Sequence, residues 1–149
     1  MADYYPPVSF HFRVDFLDLR GQQHDIKFQS VSGLNVQFET ETIKEGGENR
    51  FEHVVPGRTK YPDLVLNRGV IPPGSSAVAD WILEAVQNFD VKPINLQVVL
   101  LNEKHEPLMY WKIIHAWPKS WKFSDLKADK GEVFVETISL NYNRFEFKV

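Results

Sequence analysis

Five histidines, His11, His24, His53, His105 and His115, are the side chains best suited to proton transfer or metal ligation in this chain. No two of them have HExxH or HxH spacing, and no serine sits in a glycine-flanked nucleophile turn. The chain has no cysteine, which removes thiolate zinc sites, thiol nucleophiles and disulfides, and suits a reducing compartment. His53 with Glu39 or Glu41 across neighbouring strands would make a metal set, but polar residues on a solvated strand face are the commoner arrangement. His105 and Glu106 precede Pro107 and read as a surface loop. Gly46, Gly47, Glu48, Asn49 and Arg50 form a glycine-containing run that lacks the lysine and hydroxyl of a phosphate loop. These residues assemble no catalytic set and imply no cofactor or metal.

Four tryptophans, Trp81, Trp111, Trp117 and Trp121, raise the possibility of stacking on sugars. Trp117 and Trp121 flank Pro118 and lie among Lys119, Lys122, Lys127 and Lys130, a pattern that stacking on single-stranded nucleic acid also uses. Asp125, Asp129 and Glu132 dilute that charge. Core packing or a subunit contact is the simpler reading. The rival class is a monomeric ligand-binding β-sandwich for glycan or single-stranded nucleic acid.

The 149 residues fit one domain spanning 1–149, and a chain of this size buries roughly 70% of its unfolded surface. With 17 basic and 20 acidic side chains the net charge is -3, which argues against stable nucleic-acid binding. The first residues, MADYYPP, have no basic and apolar signal pattern, and the longest aliphatic run, residues 98–101, is far too short to insert in a membrane.

Period-two alternation dominates the pattern that must position these side chains. Phe10, Phe12, Val14 and Phe16 read as a half-buried strand. Ile26 and Phe28 continue it beyond a polar turn at 19–25. Leu34, Val36 and Phe38 alternate with Asn35, Gln37, Glu39 and Glu41, after a bend at Gly33. A charged break at 44–50 leads to a strand at 51–55 and a Pro56-Gly57 turn. Another strand at 63–67 ends at Arg68-Gly69.

One helix is predicted from Ser75 or Ser76 to Asn88, with Ser76 as N-cap and Asp80 in its first turn. Ala77, Trp81, Ile82, Ala85, Val86 and Phe89 form its apolar face. Residues 94–101, nearly all apolar, read as a central strand covered on both sides, 102–107 as a turn and 108–116 as the return strand. The final stretch, 132–147, has Phe134, Ile138, Leu140 and Tyr142 inward. Phe145 and Phe147 take the opposite parity, which predicts a bulge or twist near Asn143-Arg144. The pattern reads as one mainly β domain with one helix. Unpaired sheet edges invite aggregation, and a closed ring of subunits pairing edge to edge is one solution to it. Edges blunted by Lys44, Lys60 or Pro62 are another.

Several segments, in order, resemble a known family: YYPPVSFHFRVDF (4–16), FQSVSGLNVQFETETIKEGGENRF (28–51), PGRTKYPDLVLNRGV (56–70), LNEKHEPLMYWKIIHAWPKSWKFSDLKA (101–128) and VETISLNYNRFEF (135–147). They are similar to the inner-tube proteins of contractile phage tails and contractile injection systems, a family related in structure to the haemolysin-coregulated ring protein of type VI secretion. The resemblance implies a non-enzymatic tube subunit with a ring-forming fold of two packed antiparallel sheets, a barrel-like sandwich, and one flanking α-helix. It implies homohexameric rings that stack on adjacent tube rings inside a sheath. The partners are then sister subunits, baseplate components and sheath proteins. Assembly is expected in the bacterial cytoplasm, followed by incorporation into a virion or injection particle. The phrases YYPPVSFHF, EGGENRF and LNEKHEPL look closer to the tube-initiator variant seated on the baseplate. On this reading Lys44, Glu45, Gly46, Gly47, Glu48, Asn49 and Arg50 contact a neighbouring subunit or ring. Glu39 and Glu41 line the channel, where carboxylates repel a polyanion.

Overall fold

In the computed structural model, described for residues 11–19, 25, 27–43, 53–128, 131 and 133–149, alternation produces strands wherever one face can be buried. The elements are β1 (His11–Phe16), β2 (Ser30–Ser32), β3 (Gln37–Ile43), β4 (His53–Lys60), β5 (Leu64–Gly69), α1 (Ala77–Gln87), β6 (Ile94–Leu101), β7 (Pro107–Phe123), β8 (Val135–Asn141) and β9 (Arg144–Lys148). All strand pairings are antiparallel. The main path runs β1-β6-β7-β8-β5-β2, with β9 also on β7, while β3 and β4 form a separate two-stranded unit.

β7 holds the two layers together. Its first half, up to Ala116, pairs with β6 and β9, and its second half, from Trp117, pairs with β8. The changeover falls at His115, which has a left-handed φ of 59° and whose backbone N–H donates to Asn95 Oδ1 at 3.0 Å. A bulge residue re-aims the strand without ending it. The expected return strand, 108–116, was therefore only the first half of this element. Between the layers lie Val14, Phe16, Leu64, Leu66, Leu96, Val98, Ile113, Ile138, Leu140 and Tyr142.

The helix begins as expected. Ser76 is the N-cap, its hydroxyl accepting from the Ala79 N–H at 3.1 Å, and Asp80 stands in the first turn. The buried face differs from the expected one: Val78, Ala79, Trp81, Ile82 and Ala85 are covered, whereas Val86 is exposed and Phe89 is 90% exposed. The i, i+3, i+4, i+7 set therefore starts at Val78, and Phe89 lies past the helix end with φ of 52°. Among the described residues, no helix is long and apolar enough to cross a membrane.

Three further expectations need correction. Phe28 is buried but not in a strand; the short strand is Ser30–Ser32, and Ile26 lies outside the described residues. The segment carrying Phe38 is not half-buried: among the described residues no third layer packs on β3 and β4, and every residue of β3 is exposed. Pro56 and Gly57 make no turn but lie within β4. An edge strand tolerates proline, and Gly57 sits at a register shift where an added Cβ would come 3.0 Å from the Glu39 carbonyl oxygen. The break expected near Asn143-Arg144 is present: β8 ends at Asn141, and the chain re-enters as β9 on the other half of β7.

Candidate assembly surface

The β3–β4 hairpin leaves the barrel from a fixed base. Gly33 has φ of 94°, and a Cβ there would lie 2.1 Å from the Asp63 carbonyl oxygen, so the two backbone segments meet at a point only glycine permits. Tyr61 packs on Tyr142 at 5.8 Å and edge-on against Phe145 at 5.0 Å. The Tyr142 hydroxyl donates to the Gly33 carbonyl at 3.4 Å, and Lys119 pairs with Asp63 at 2.8 Å. Burial, then the nearby Tyr61 and Asp63, push the Tyr142 phenol up to about 12.

Beyond that base the hairpin stands in solvent. Strand alternation puts Phe38, Thr40 and Thr42 on one face opposite Thr59, Pro56 and Val54, and Glu39 and Glu41 on the other with Ile43, His53 and Val55. Phe38 and Val54 are each 62% exposed. Both carboxylates assigned to a channel are thus exposed on one face, with His53 diagonal to Glu41. Among the described residues, no group of three or more ligating side chains gathers there or elsewhere. Residues 44–50, assigned to a subunit contact, lie outside the described residues.

Among the described residues, β1 pairs only with β6, β2 only with β5 and β9 only with β7, while β3 and β4 pair only with each other. Two further apolar groups are exposed among the described residues, Val86, Phe89 and Val91 at and just after the end of the helix and Phe123, Leu126 and Val133 at and beside the end of β7. Scattered single apolar residues are ordinary on a surface; clustered ones mark contacts.

Three of the four tryptophans, Trp81, Trp111 and Trp121, pack on or within the core. Trp81 is buried and donates to the Lys92 carbonyl at 2.7 Å; Trp111 lies edge-on to Phe147 at 5.7 Å. Trp121 donates from Nε1 to Glu136 Oε2 at 3.1 Å, inside a buried network that sequence reasoning missed. Arg68 donates to Glu136, to Asp25 at 2.9 Å and to the Ser76 hydroxyl at 2.8 Å, and its guanidinium lies 5.2 Å over the Phe28 ring. Ser76 in turn donates to Asp25, whose other oxygen accepts the Ala77 N–H at 2.9 Å. Burial pushes the Asp25 carboxyl up, but the hydrogen bonds from Ser76, Arg68 and Ala77 and the Arg68 charge outweigh it and hold it below the usual range. Each strand carries the signal that could have found this network: Arg68 and Glu136 continue the inward parities of Leu64 and Leu66, and of Ile138 and Leu140, with opposite charges.

Comparison with known proteins agrees with this architecture. A chain in the cryo-EM structure of the anti-feeding prophage baseplate, 6-fold symmetrised, is 31% identical, with 97% of each chain covered and a TM-score of 0.86. A chain of the anti-feeding prophage tube-terminating cap is 29% identical, covering 100% of this chain and 95% of that one, TM-score 0.82. A chain of the sheath–tube complex of the extracellular contractile injection system PVC, in the extended state, is 27% identical, covering 97% and 93%, TM-score 0.78. No curated protein matches the chain. The family model described as T4-like virus tail tube protein gp19 matches residues 8–146, and this chain, a mainly β barrel-like sandwich with one helix, belongs to that family.

Proposed function

We propose that six copies of this chain form a ring by pairing their free strand edges head to tail, and that this ring is the first tube layer on a baseplate. The observation that carries the reading is the set of edges on β1, β9 and the exposed hairpin that have no strand partner among the described residues, all on a chain of a tail-tube family. Main-chain pairing between subunits supplies many directional hydrogen bonds at once, which suits a tube that must resist compression. A heterologous contact that closes by rotation leaves no edge free. The likeness to a chain of a 6-fold symmetrised baseplate structure supports both the ring and the initiator position.

In this arrangement Glu39 and Glu41 face the channel, residues 44–50 reach the adjoining subunit or ring, and sheath subunits surround the tube. Assembly takes place in the bacterial cytoplasm, and the ring then travels in the finished particle. Electron microscopy with mass photometry of the purified protein tests the ring: six-fold rings or stacks are expected, and a monomer at every concentration overturns it. Mixing with baseplates tests the layer: one ring per particle is expected, and long columns of this chain would make it the repeating tube subunit instead.

A further inference from the structure

We infer that the β3–β4 hairpin of one copy docks into an apolar groove on the next copy, with Phe38 as the inserted side chain; this rests on the ring reading above. The groove, of about 580 Å³, opens where the two ends of the main sheet, β1 and β2, approach without pairing. Phe12, Val98, Leu100 and Trp111 form one wall, and Val31 and Leu34 the other, with Gln29 and Ser30 at the rim. It lies within the roughly 300–1,000 Å³ of pockets that enclose a ligand, and among the described residues no charged side chain lines it.

The occupant is a second copy because the chain itself carries a matching part. The hairpin face that presents Phe38, Thr40, Thr42, Val54 and Pro56 is uncharged, and its carboxylates stand on the opposite face. Insertion of that face therefore buries no ion, whereas the other face would bring Glu39 and Glu41 against apolar walls at a prohibitive cost. A seven-residue strand reaches roughly 23 Å from its base. Beside the groove, β1 offers an edge that is unpaired among the described residues, so strand addition and side-chain insertion coincide in one contact. Knob and hole on different parts of one surface make a head-to-tail contact, the kind that closes into a ring.

The absence of native cysteine makes the test direct. Phe38→Cys and Ser30→Cys are placed in separate chains and co-expressed, so that a bond between them is necessarily intermolecular; both positions are exposed, and each variant alone is checked for native circular dichroism. Mild oxidation of the assembled rings is expected to give a covalent dimer from the mixture at least tenfold more abundantly than from either variant alone. Intact rings without that mixed dimer would overturn the docking while leaving the ring in place. Failure of both the mixture and the wild-type protein to assemble would overturn the ring reading and the docking together. As a second measurement, Phe38→Ala in otherwise native chains is expected to raise the concentration needed for ring formation at least tenfold, and unchanged assembly would count against the insertion.

Discussion

Arg68 and Glu136 are direct register partners on β5 and β8, and their ion pair lies wholly inside the barrel, with side chains 2% and 0% exposed. Two carboxylates, one guanidinium, a helix-capping hydroxyl and an indole N–H satisfy one another there. Among the described residues, no buried side-chain nitrogen or oxygen lacks a partner. The network joins β5, β7, β8, the helix start and the segment carrying Asp25, so it fixes how these elements meet.

Arg68→Met leaves Asp25 and Glu136 buried without their cation. Removing one member of a buried pair costs about 3–5 kcal/mol. The midpoint of urea unfolding measures it, and a loss below about 1 kcal/mol would show the network to be dispensable. Arg68→Lys is expected to recover only part of the loss, because an ammonium cannot reproduce the planar fork that reaches three acceptors.

Acid should weaken the fold through Asp25. Its folded-state carboxyl is held below the usual value, so its contribution is complete above the unfolded pKa of about 3.9 and is lost as pH falls toward the lowered folded value. Unfolding midpoints of wild type and Asp25→Asn, compared from pH 7 to pH 2, should converge below about pH 4. Parallel curves throughout would contradict this.

Alkali acts at the hairpin base. The Tyr142 phenol, raised to about 12, stays neutral in the folded chain while an unfolded tyrosine ionises near 10. Its stabilisation is present below about pH 10 and declines as pH rises from there through the folded value. Tyr142→Phe should flatten that decline, as read by unfolding midpoints between pH 8 and pH 12.

Gly33→Ala places a methyl group against the Asp63 carbonyl in a left-handed conformation. The expected outcome is loss of hydrogen-exchange protection in β3 and β4, with the amides of β6 and β8 unaffected. Uniform loss across the barrel, or none, would show that this contact does not anchor the hairpin.

Much of the barrel was legible because alternation reports burial directly: the inward residues of β1 and β8 follow it, and Ser76 announces the helix start, whereas β6, read as covered on both sides, largely alternates buried and half-buried residues. The hairpin misled the same logic. Val36 and Phe38 alternate with polar residues just as core strands do, but no layer covers them, and a side-chain pattern cannot say whether its apolar face meets the same chain. The buried ion network was hidden for a related reason. Arg68 and Glu136 look like surface residues until the β5–β8 register sets them opposite each other. Pro56-Gly57 imitates a turn because the local signal is the same at a strand bulge. The channel assignment of Glu39 and Glu41 has only their shared face behind it, since which side of a hairpin looks inward depends on neighbours.

The seventeen residues of β7 form a single tie of roughly 56 Å if fully extended, laced to β6 and β9 along one half and to β8 along the other. A thrust applied to either layer therefore passes into its companion through covalent bonds instead of by sliding between packed side chains. Stiffness under a driving stroke becomes a property of the individual subunit, and the bend at His115 is where any yielding would begin.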